Sequence, residues 1–259
     1  MVDILARYGI KEVADVTFYK ILQGGGIGAP VLYLDTLKVS TTEQTAENTS
    51  ARGGKGNAEL VMWDYGKEIN VTLEDALFSA KSMAIMYGVD PDEDTTDFAA
   101  VNKITKTVNV SAIQVSGDDL IVSTAAGDIK IPTEVKFYDS KAQEVSTSSA
   151  STAKEKYEAA KATAAYATFD INVEGQEIVI SAEKFPGTYY VTGDTYARSE
   201  DTGEDEFFQF IIPKAKVLSE VTLTMEAEGD PSTFNMNLKV LRPKDGKMMK
   251  LVKYNLASS

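Results

Sequence analysis

The last third of the chain constrains the fold most strongly, because its apolar and polar residues alternate along successive short segments. In residues 234–240 the even positions are apolar and the odd positions are Asn, Asn and Lys. In residues 217–226, Glu220 and Glu226 share one face and the opposite face is mainly apolar. A period of two is typical of a β-strand, and Glu-Gly-Asp-Pro at 228–231 supplies a turn between the segments. We therefore predict an antiparallel hairpin with one solvent-exposed face.

The chain contains no His and no Cys, which excludes several kinds of site. A Ser-His-Asp triad, a Cys nucleophile, His-ligated zinc, an iron–sulfur cluster and a disulfide all need these residues. Catalysis by paired carboxylates, Lys or Tyr stays open, so a glycosidase-like enzyme is one alternative, although no two of the 39 acids stand out as a pair. We predict no metal, no cofactor and no catalytic residue, and we expect the protein not to be an enzyme.

The net charge of −13 limits the partners of the chain. Proteins that hold nucleic acid need clustered Lys and Arg, so we do not expect specific nucleic-acid binding. No uncharged apolar run approaches the roughly 20 residues that span a bilayer, and the N-terminus lacks the apolar core of a signal peptide. We expect a protein made in the cytoplasm, with no membrane insertion of the chain itself.

Strand and turn signals recur along the chain and predict a mainly β fold. With 259 residues, of which 43% are hydrophobic, the chain can bury a core. We predict a single domain over residues 1–259, an antiparallel β-sandwich or barrel with a flanking α-helix. Two segments interrupt it, an extended arm at 40–57 and an Ala-rich, helical or flexible insertion at about 145–167.

Residues 73–87 have the pattern of an α-helix. Their apolar side chains recur at spacings of three and four and form one stripe, with Leu77 near its centre. Thr72 is a suitable N-cap, two acidic residues fall in the first turn, and Gly88 is a C-terminal stop. We predict that this helix packs its stripe against the sheet.

The segment 40–57 is small and polar, and three glycines lie near its end. Structureless loops longer than about a dozen residues are uncommon in compact domains and are often functional or disordered. We predict a long exposed loop or extended arm that is mobile in the single chain and contacts a neighbouring subunit. The residues expected to make this contact are Thr45, Asn48, Arg52, Gly53, Gly54, Lys55, Gly56 and Asn57.

The composition of residues 145–167 changes abruptly to Ser, Ala, Lys and Glu. The first half is typical of a linker, and the second half is rich in strong helix formers. Lys154 and Glu158 lie four residues apart, which favours a helix. We interpret this segment as an insertion in the β scaffold, either a packed helix or a mobile excursion.

Two acidic stretches lie outside the predicted strands. Residues 90–97 resemble a calcium loop only superficially, because an EF-hand needs Gly at its sixth position and Glu at its twelfth, where this chain has Thr95 and Val101. Residues 199–206 hold five acids in eight positions, which is unfavourable in a packed interface without matching cations. We expect the first stretch to be solvated and the second to face water or a basic partner.

Three segments of the chain resemble the tail tube proteins of long-tailed bacteriophages. They are RYGIKEVADVTFYKI, RGGKGNAELVMWDYGKEINVTLEDALFS and FFQFIIPKAKVLSEVTLTMEAEGDPSTFNMNLKVLRP. The resemblance covers most of the chain outside residues 145–167. It implies a β-sandwich or barrel with a flanking helix, whose copies assemble as hexameric rings stacked into a hollow tube. The expected location is the tail of the virion, after assembly in the cytoplasm of the bacterial host.

The resemblance also implies the partners of the chain. Copies of the chain form the rings, and a tape-measure protein and later the passing DNA occupy the lumen without specific binding. A sheath and tail terminator or initiator proteins are further expected partners. An acidic lumen would let DNA slide without sticking. The acids expected there are Glu220 and Glu226 or, alternatively, Glu200, Asp201 and Glu204 of the acidic loop.

A soluble β-sandwich that binds a carbohydrate or a receptor is the alternative function. Trp63 and the pair Tyr189-Tyr190 could form a sugar-binding platform. Aromatic residues in strands, however, belong more often to the core than to a binding surface. The sequence therefore favours the tube subunit over the binding module.

Overall fold

The computed structural model describes residues 7–24, 26–90, 98–221 and 233–255. Contacts between Cα atoms divide the chain into two compact units. Unit 1 comprises Met1–Phe98 and Ile178–Ser259, and unit 2 comprises Ala99–Glu177. The single domain expected from the sequence stays a prediction, because two compact units of one chain can fold together or separately.

The described chain is built mainly from β-strands, with two α-helices. Its first strands and helix are β1 (Tyr8–Ile10), β2 (Asp15–Ile21), β3 (Ile27–Leu34), β4 (Leu37–Gly53), β5 (Ala58–Asp75) and α1 (Ala80–Tyr87). The middle of the chain forms β6 (Phe98–Asn109), β7 (Gln114–Ser116), β8 (Asp119–Thr124), β9 (Gly127–Lys130), β10 (Lys136–Tyr138) and α2 (Ala153–Ala160). The last strands are β11 (Tyr166–Ile178), β12 (Thr188–Ser199), β13 (Asp205–Val217), β14 (Phe234–Val240) and β15 (Lys250–Tyr254).

Unit 1 is organised around one antiparallel sheet in the order β3-β2-β12-β13-β14-β5-β4. Two short strands extend it at one end, because β1 pairs with β12 and β15 pairs with β13. The helix α1 contributes Ile85 and Met86 to the core formed by these strands. The prediction of a mainly β, antiparallel fold with a flanking helix is therefore confirmed.

The core of unit 1 follows from strict alternation along the strands. The even positions of β14 are buried and its odd positions are not, as predicted for residues 234–240. In β5 the alternation buries Ile69, Val71 and Leu73. Strand β13 pairs with β14 at residues 215–217, which forms the base of the predicted hairpin. The predicted turn at 228–231 and Glu226 lie outside the described residues.

The helix prediction was wrong at its N-terminus and correct at its C-terminus. Thr72 and Leu73 lie in strand β5, where Leu73 pairs with Met236 of β14. The helix begins only at Ala80, after Ser79 and Ser82 form a capping box. Leu77 was expected at the centre of a buried stripe, but its side chain is 64% exposed. The C-terminal stop at Gly88 is confirmed, since its φ of 83° is left-handed.

Unit 2 has its own core between two three-stranded sheets and a helix. The sheets have the orders β10-β11-β6 and β7-β8-β9. Helix α2 starts with a capping box between Thr152 and Glu155, and its Tyr157 ring lies 6.3 Å from the ring of Phe137. Residues 145–167, predicted as an insertion, lie inside this larger unit. The helix that their composition favours begins at Ala153, within the half predicted to be a linker, and ends at Ala160.

Candidate assembly surfaces

The most prominent surface of unit 1 is a two-stranded ribbon formed by β4 and β5. Among the described residues, β14 pairs with β5 over residues 70–75, and the remainder of β5 pairs with β4 alone. We call residues 43–68 the ribbon. All its described side chains from 58 to 68 are exposed, as are those from 43 to 49. The ribbon therefore extends beyond the core of its own unit.

The predicted arm at 40–57 is one strand and the turn of this ribbon. Thr45, Asn48, Arg52 and Gly53 lie in β4 and pair with residues of β5. The remaining predicted contact residues, 54–57, form the turn of the ribbon. Three of them have a positive φ, namely Gly54, Gly56 and Asn57. The arm is ordered by backbone pairing with β5 and not by burial of its side chains. Its polar composition did not reveal that β5 would be its pairing partner.

The ribbon exposes a run of large apolar side chains. Leu60, Val61, Met62, Trp63 and Tyr65 are between 48% and 65% exposed. The prediction that strand aromatics belong to the core was wrong for Trp63, which is 54% exposed. Contiguous exposed apolar groups of this kind mark interaction surfaces in soluble proteins.

A β-bulge at Gly66 decides which way these side chains point. Thr45 pairs with Glu68 and Glu47 pairs with Tyr65, so β5 has one residue more than β4 at this place. Gly66 has a φ of 61°, the left-handed conformation that such a bulge needs. Because the side-chain period of a strand is two, one extra residue moves the odd positions of β5 to the other face of the ribbon.

A second surface lies where β1, β12, β13 and β15 form a four-stranded end of the sheet. Along β12 the odd positions 193–199 are buried and the even positions 194–198 are exposed. Tyr196 and Phe207 are 5.5 Å apart between ring centroids, and Phe207 stacks on Tyr254 at 5.3 Å. Within the described residues, no strand pairs with the outer edge of β1 or of β15. This end therefore has one solvent face and two free edges.

The polar groups of this solvent face are largely paired with one another. Arg198 donates two hydrogen bonds of 2.7 Å to the carboxylate of Asp205. The Arg198 guanidinium holds the pKa of the Asp205 carboxyl below its ordinary value through these bonds, and the carboxylate raises the pKa of Arg198. Asp194 accepts a 2.7 Å hydrogen bond from Gln209 and lies beside Asp15 of β2. The face thus combines three aromatic rings with paired polar groups, and Lys250 of β15, which lies opposite Ile211, adds one exposed cation.

Asp15 adds negative charge to the same face. The hydroxyl of Tyr33 donates to its carboxylate at 3.2 Å. The Tyr33 pKa is raised, first by the charge of Asp15 and then by desolvation. Sequence reasoning did not single out Asp15 or Asp194, and it considered Asp205 only as part of the acidic loop at 199–206. The period of two along β12 could have placed Asp194 on the exposed face.

The predicted lumen acids fall into two separate groups. Glu200, Asp201 and Glu204 occupy the exposed turn between β12 and β13, and Glu200 forms an ion pair of 3.6 Å with Arg7. Glu220 is exposed just after the other end of β13. With 13 residues, β13 keeps the two groups about 40 Å apart along the strand. Glu226 lies outside the described residues.

Comparison with known proteins identifies the family. The YomU/Tube protein family matches residues 8–253. The chain belongs to this family. It is also 28% identical over 224 residues to the tail tube protein of Bacillus phage SPR, with 84% of this chain and 78% of that protein covered. Both findings confirm the resemblance to phage tail tube proteins and indicate a structural role in a tail tube.

Metal binding, membrane crossing and sugar binding were the other properties to check in the described residues. Over the ranges that the structure describes, no three His, Cys, Asp or Glu side chains are grouped as metal ligands. None of the helices in those ranges combines the length and the apolar composition that crossing a bilayer requires. Tyr189, considered for a sugar platform, packs its ring 5.9 Å from the buried Phe18. The ribbon and the four-stranded end are therefore the two surfaces from which an assembly role can be argued.

Proposed function

We propose that this chain is a structural, non-enzymatic subunit of a phage tail tube. Copies polymerise as hexameric rings, the rings stack into a tube, and the tube conducts the genome during delivery. The family supports the structural role. The observation that carries the proposal is the four-stranded end of the sheet, with a polar solvent face and two different free edges.

The two free edges suit ring formation. Strand β1 lies on one side of β12 and strand β15 on the opposite side of β13. A contact between different edges of two copies is heterologous, so it repeats from copy to copy until the ring closes. Six copies with four strands each would contribute 6 × 4 = 24 strands to one barrel. Barrels of 16–18 strands already leave an aqueous channel, so one of this size would enclose a wide lumen.

In such a ring the solvent face of β12 and β13 would line the lumen. Its one arginine is paired with Asp205, while Asp15 and Asp194 accept hydrogen bonds from the uncharged side chains of Tyr33 and Gln209. This arrangement would repel phosphates rather than hold them, so that DNA slides through. Among the candidate acids, we place Glu200, Asp201 and Glu204 at one rim, since their turn continues the lumen strands. Glu220 and Glu226 are the alternative group, near the other end of β13.

The ribbon is the second contact between subunits. Its predicted contact residues, from Thr45 to Asn57, lie in the C-terminal half of β4 and in the turn, and its large apolar residues lie in β5. An isolated two-stranded ribbon is only marginally stable in water, so a covering surface on another copy would stabilise it. Beyond copies of itself, the tube would enclose a tape-measure protein and then DNA, and would meet a sheath or tail terminator and initiator proteins. Its location would be the virion tail, after assembly in the host cytoplasm.

Electron microscopy of the purified chain tests this function. We expect rings or tubes with six subunits around a central channel. The matched variant replaces residues 46–67 by Asn-Gly, which joins Thr45 to Glu68, two residues that already pair across the ribbon. This variant should stay folded and fail to form tubes. Dispersed monomers of the unaltered chain at high concentration would refute the tube subunit and favour the binding module.

A further inference from the structure

The bulge at Gly66 gives the two faces of the ribbon different characters. Val61, Trp63 and Tyr65 share the face that points away from the core side of β5, because the bulge reverses the alternation there. We call these three residues the outer row. Their cross-strand partners are Ala51, Thr49 and Glu47, and beyond the bulge Glu68, which pairs with Thr45, continues the same face, so the charges lie at the Tyr65 end of the row. The opposite face pairs Met62 with Ser50 and Asp64 with Asn48 and is mainly polar.

We propose that the outer row docks on a second copy of this chain and provides the main binding energy of the ribbon contact. This inference rests on the proposed function and narrows it to one face. The row combines two aromatic side chains, each about half exposed, with a Val at its end. Buried aromatic anchors dominate the energetics of protein interfaces, while polar surroundings mainly exclude water. The outer row is the part of the ribbon with that composition.

A second copy offers a suitable counterpart at the opposite end of the sheet. Strand β4 is the last strand of the sheet order, and β3 is the first. The hairpin of β2 and β3 exposes Leu22 by 54% and Ile27 by 50%. Two apolar surfaces at opposite ends of one sheet form a heterologous contact that repeats between copies. In the proposed tube, Leu22 and Ile27 of one copy would receive the outer row of the next copy.

A matched pair of substitutions tests the proposal. Trp63→Ser removes the centre of the outer row, and Met62→Ser changes the neighbouring residue on the opposite face. The two side chains are 54% and 56% exposed, so neither substitution should change the urea midpoint of the monomer. The critical concentration for tube assembly should rise about tenfold or more for Trp63→Ser and less than about twofold for Met62→Ser. Equal effects, or a larger effect of Met62→Ser, would overturn the assignment of the face.

Photo-crosslinking identifies the occupant. With p-benzoylphenylalanine at position 63 of assembled tubes, we expect crosslinks to another copy of the chain, and few from position 62. Absence of crosslinks from position 63 would refute docking of the row. Failure of the proposed function looks different: the unaltered chain would then stay monomeric at high concentration. If the unaltered chain and the variant that lacks residues 46–67 both form tubes, the tube function stands and the ribbon contact, with its outer row, is refuted. If that variant fails to assemble while Trp63→Ser assembles like the unaltered chain, the ribbon function stands and the outer row does not.

Discussion

Replacing Gly88 by Ala tests how the end of α1 is held. Gly88 has a φ of 83°, and an added Cβ would lie 2.5 Å from the carbonyl carbon of Phe185 and 2.8 Å from the nitrogen of Pro186. Ordinary carbon contacts are about 3.5–4.0 Å, so this backbone would have to move by about 1 Å. The backbone at Phe185 and Pro186 is held in place, because the Lys216 ammonium donates a hydrogen bond to the carbonyl oxygen of Pro186. The left-handed backbone costs about 1 kcal/mol and overpacking about 1–3 kcal/mol more.

Gly203 provides the control for this substitution. It also has a positive φ, of 70°, but an added Cβ would find no atom within 4 Å. Gly203→Ala should therefore cost only the backbone term of about 1 kcal/mol, and Gly88→Ala about 2–4 kcal/mol. Urea unfolding at matched protein concentration measures both values. Equal losses for the two variants would mean that the segment of Phe185 yields freely, and the packing argument would be wrong.

Three other predictions address the helix, a charge pair and unit 2. Ile85→Asp should cost about 3–5 kcal/mol of the free energy of unfolding, because Ile85 is fully buried, whereas Leu77→Asp should stay within about 0.5 kcal/mol; thermal unfolding of both checks this. The hydrogen bonds from Arg198 lower the pKa of Asp205 in the folded protein below its ordinary value of 3.8. The ionised carboxylate therefore stabilises the fold fully above pH 3.8, and this contribution is lost as the pH falls through the lower pKa of the folded state. In Asp205→Asn, the urea midpoint should fall less on acidification than in the unaltered chain. A chain of residues 99–177 alone should give a cooperative melting transition, since ten buried side chains form its own core, and a non-cooperative melt would contradict this.

The start of α1 shows why local periodicity could not settle the helix. Leu73 fits the apolar stripe of a helix together with Ala76 and Leu77, which lie three and four positions further on. It fits the alternation of a strand equally well, together with Ile69 and Val71. The strand forms because β14, more than 150 residues later, supplies backbone partners such as Met236 for Leu73. Such long-range pairing overrides local pattern and is invisible in a window of one helix length. Gly88 was predictable because a helix stop depends on local backbone conformation alone.

The ribbon shows the same limit for a polar segment. The residues of β4 from Thr41 to Thr49 are polar on both faces, so no alternation marks them as a strand. Their pairing with β5 gives them order without a buried face. One local signal was available: Gly66 is an isolated glycine within a strand pattern, which indicates a bulge. With that bulge, the exposed positions of Trp63 and Tyr65 follow from the register.

The charge of the chain is distributed in a way that bears on the proposed lumen. Residues 99–177 contain 8 Lys and 11 acids, a net charge of 8 − 11 = −3, so the remainder of the chain carries −13 + 3 = −10. Of this −10, eight charges come from acids in residues 1–6, 91–97 and 222–232, outside the described residues, so the described strands and loops of unit 1 carry a net charge of only −2. Copies repel one another at low ionic strength, and salt screens this repulsion within about 8 Å under physiological conditions. Apolar contacts such as the outer row act at shorter range and keep their strength in salt. In the proposed tube, charge would then keep DNA off the wall while uncharged contacts hold the wall together.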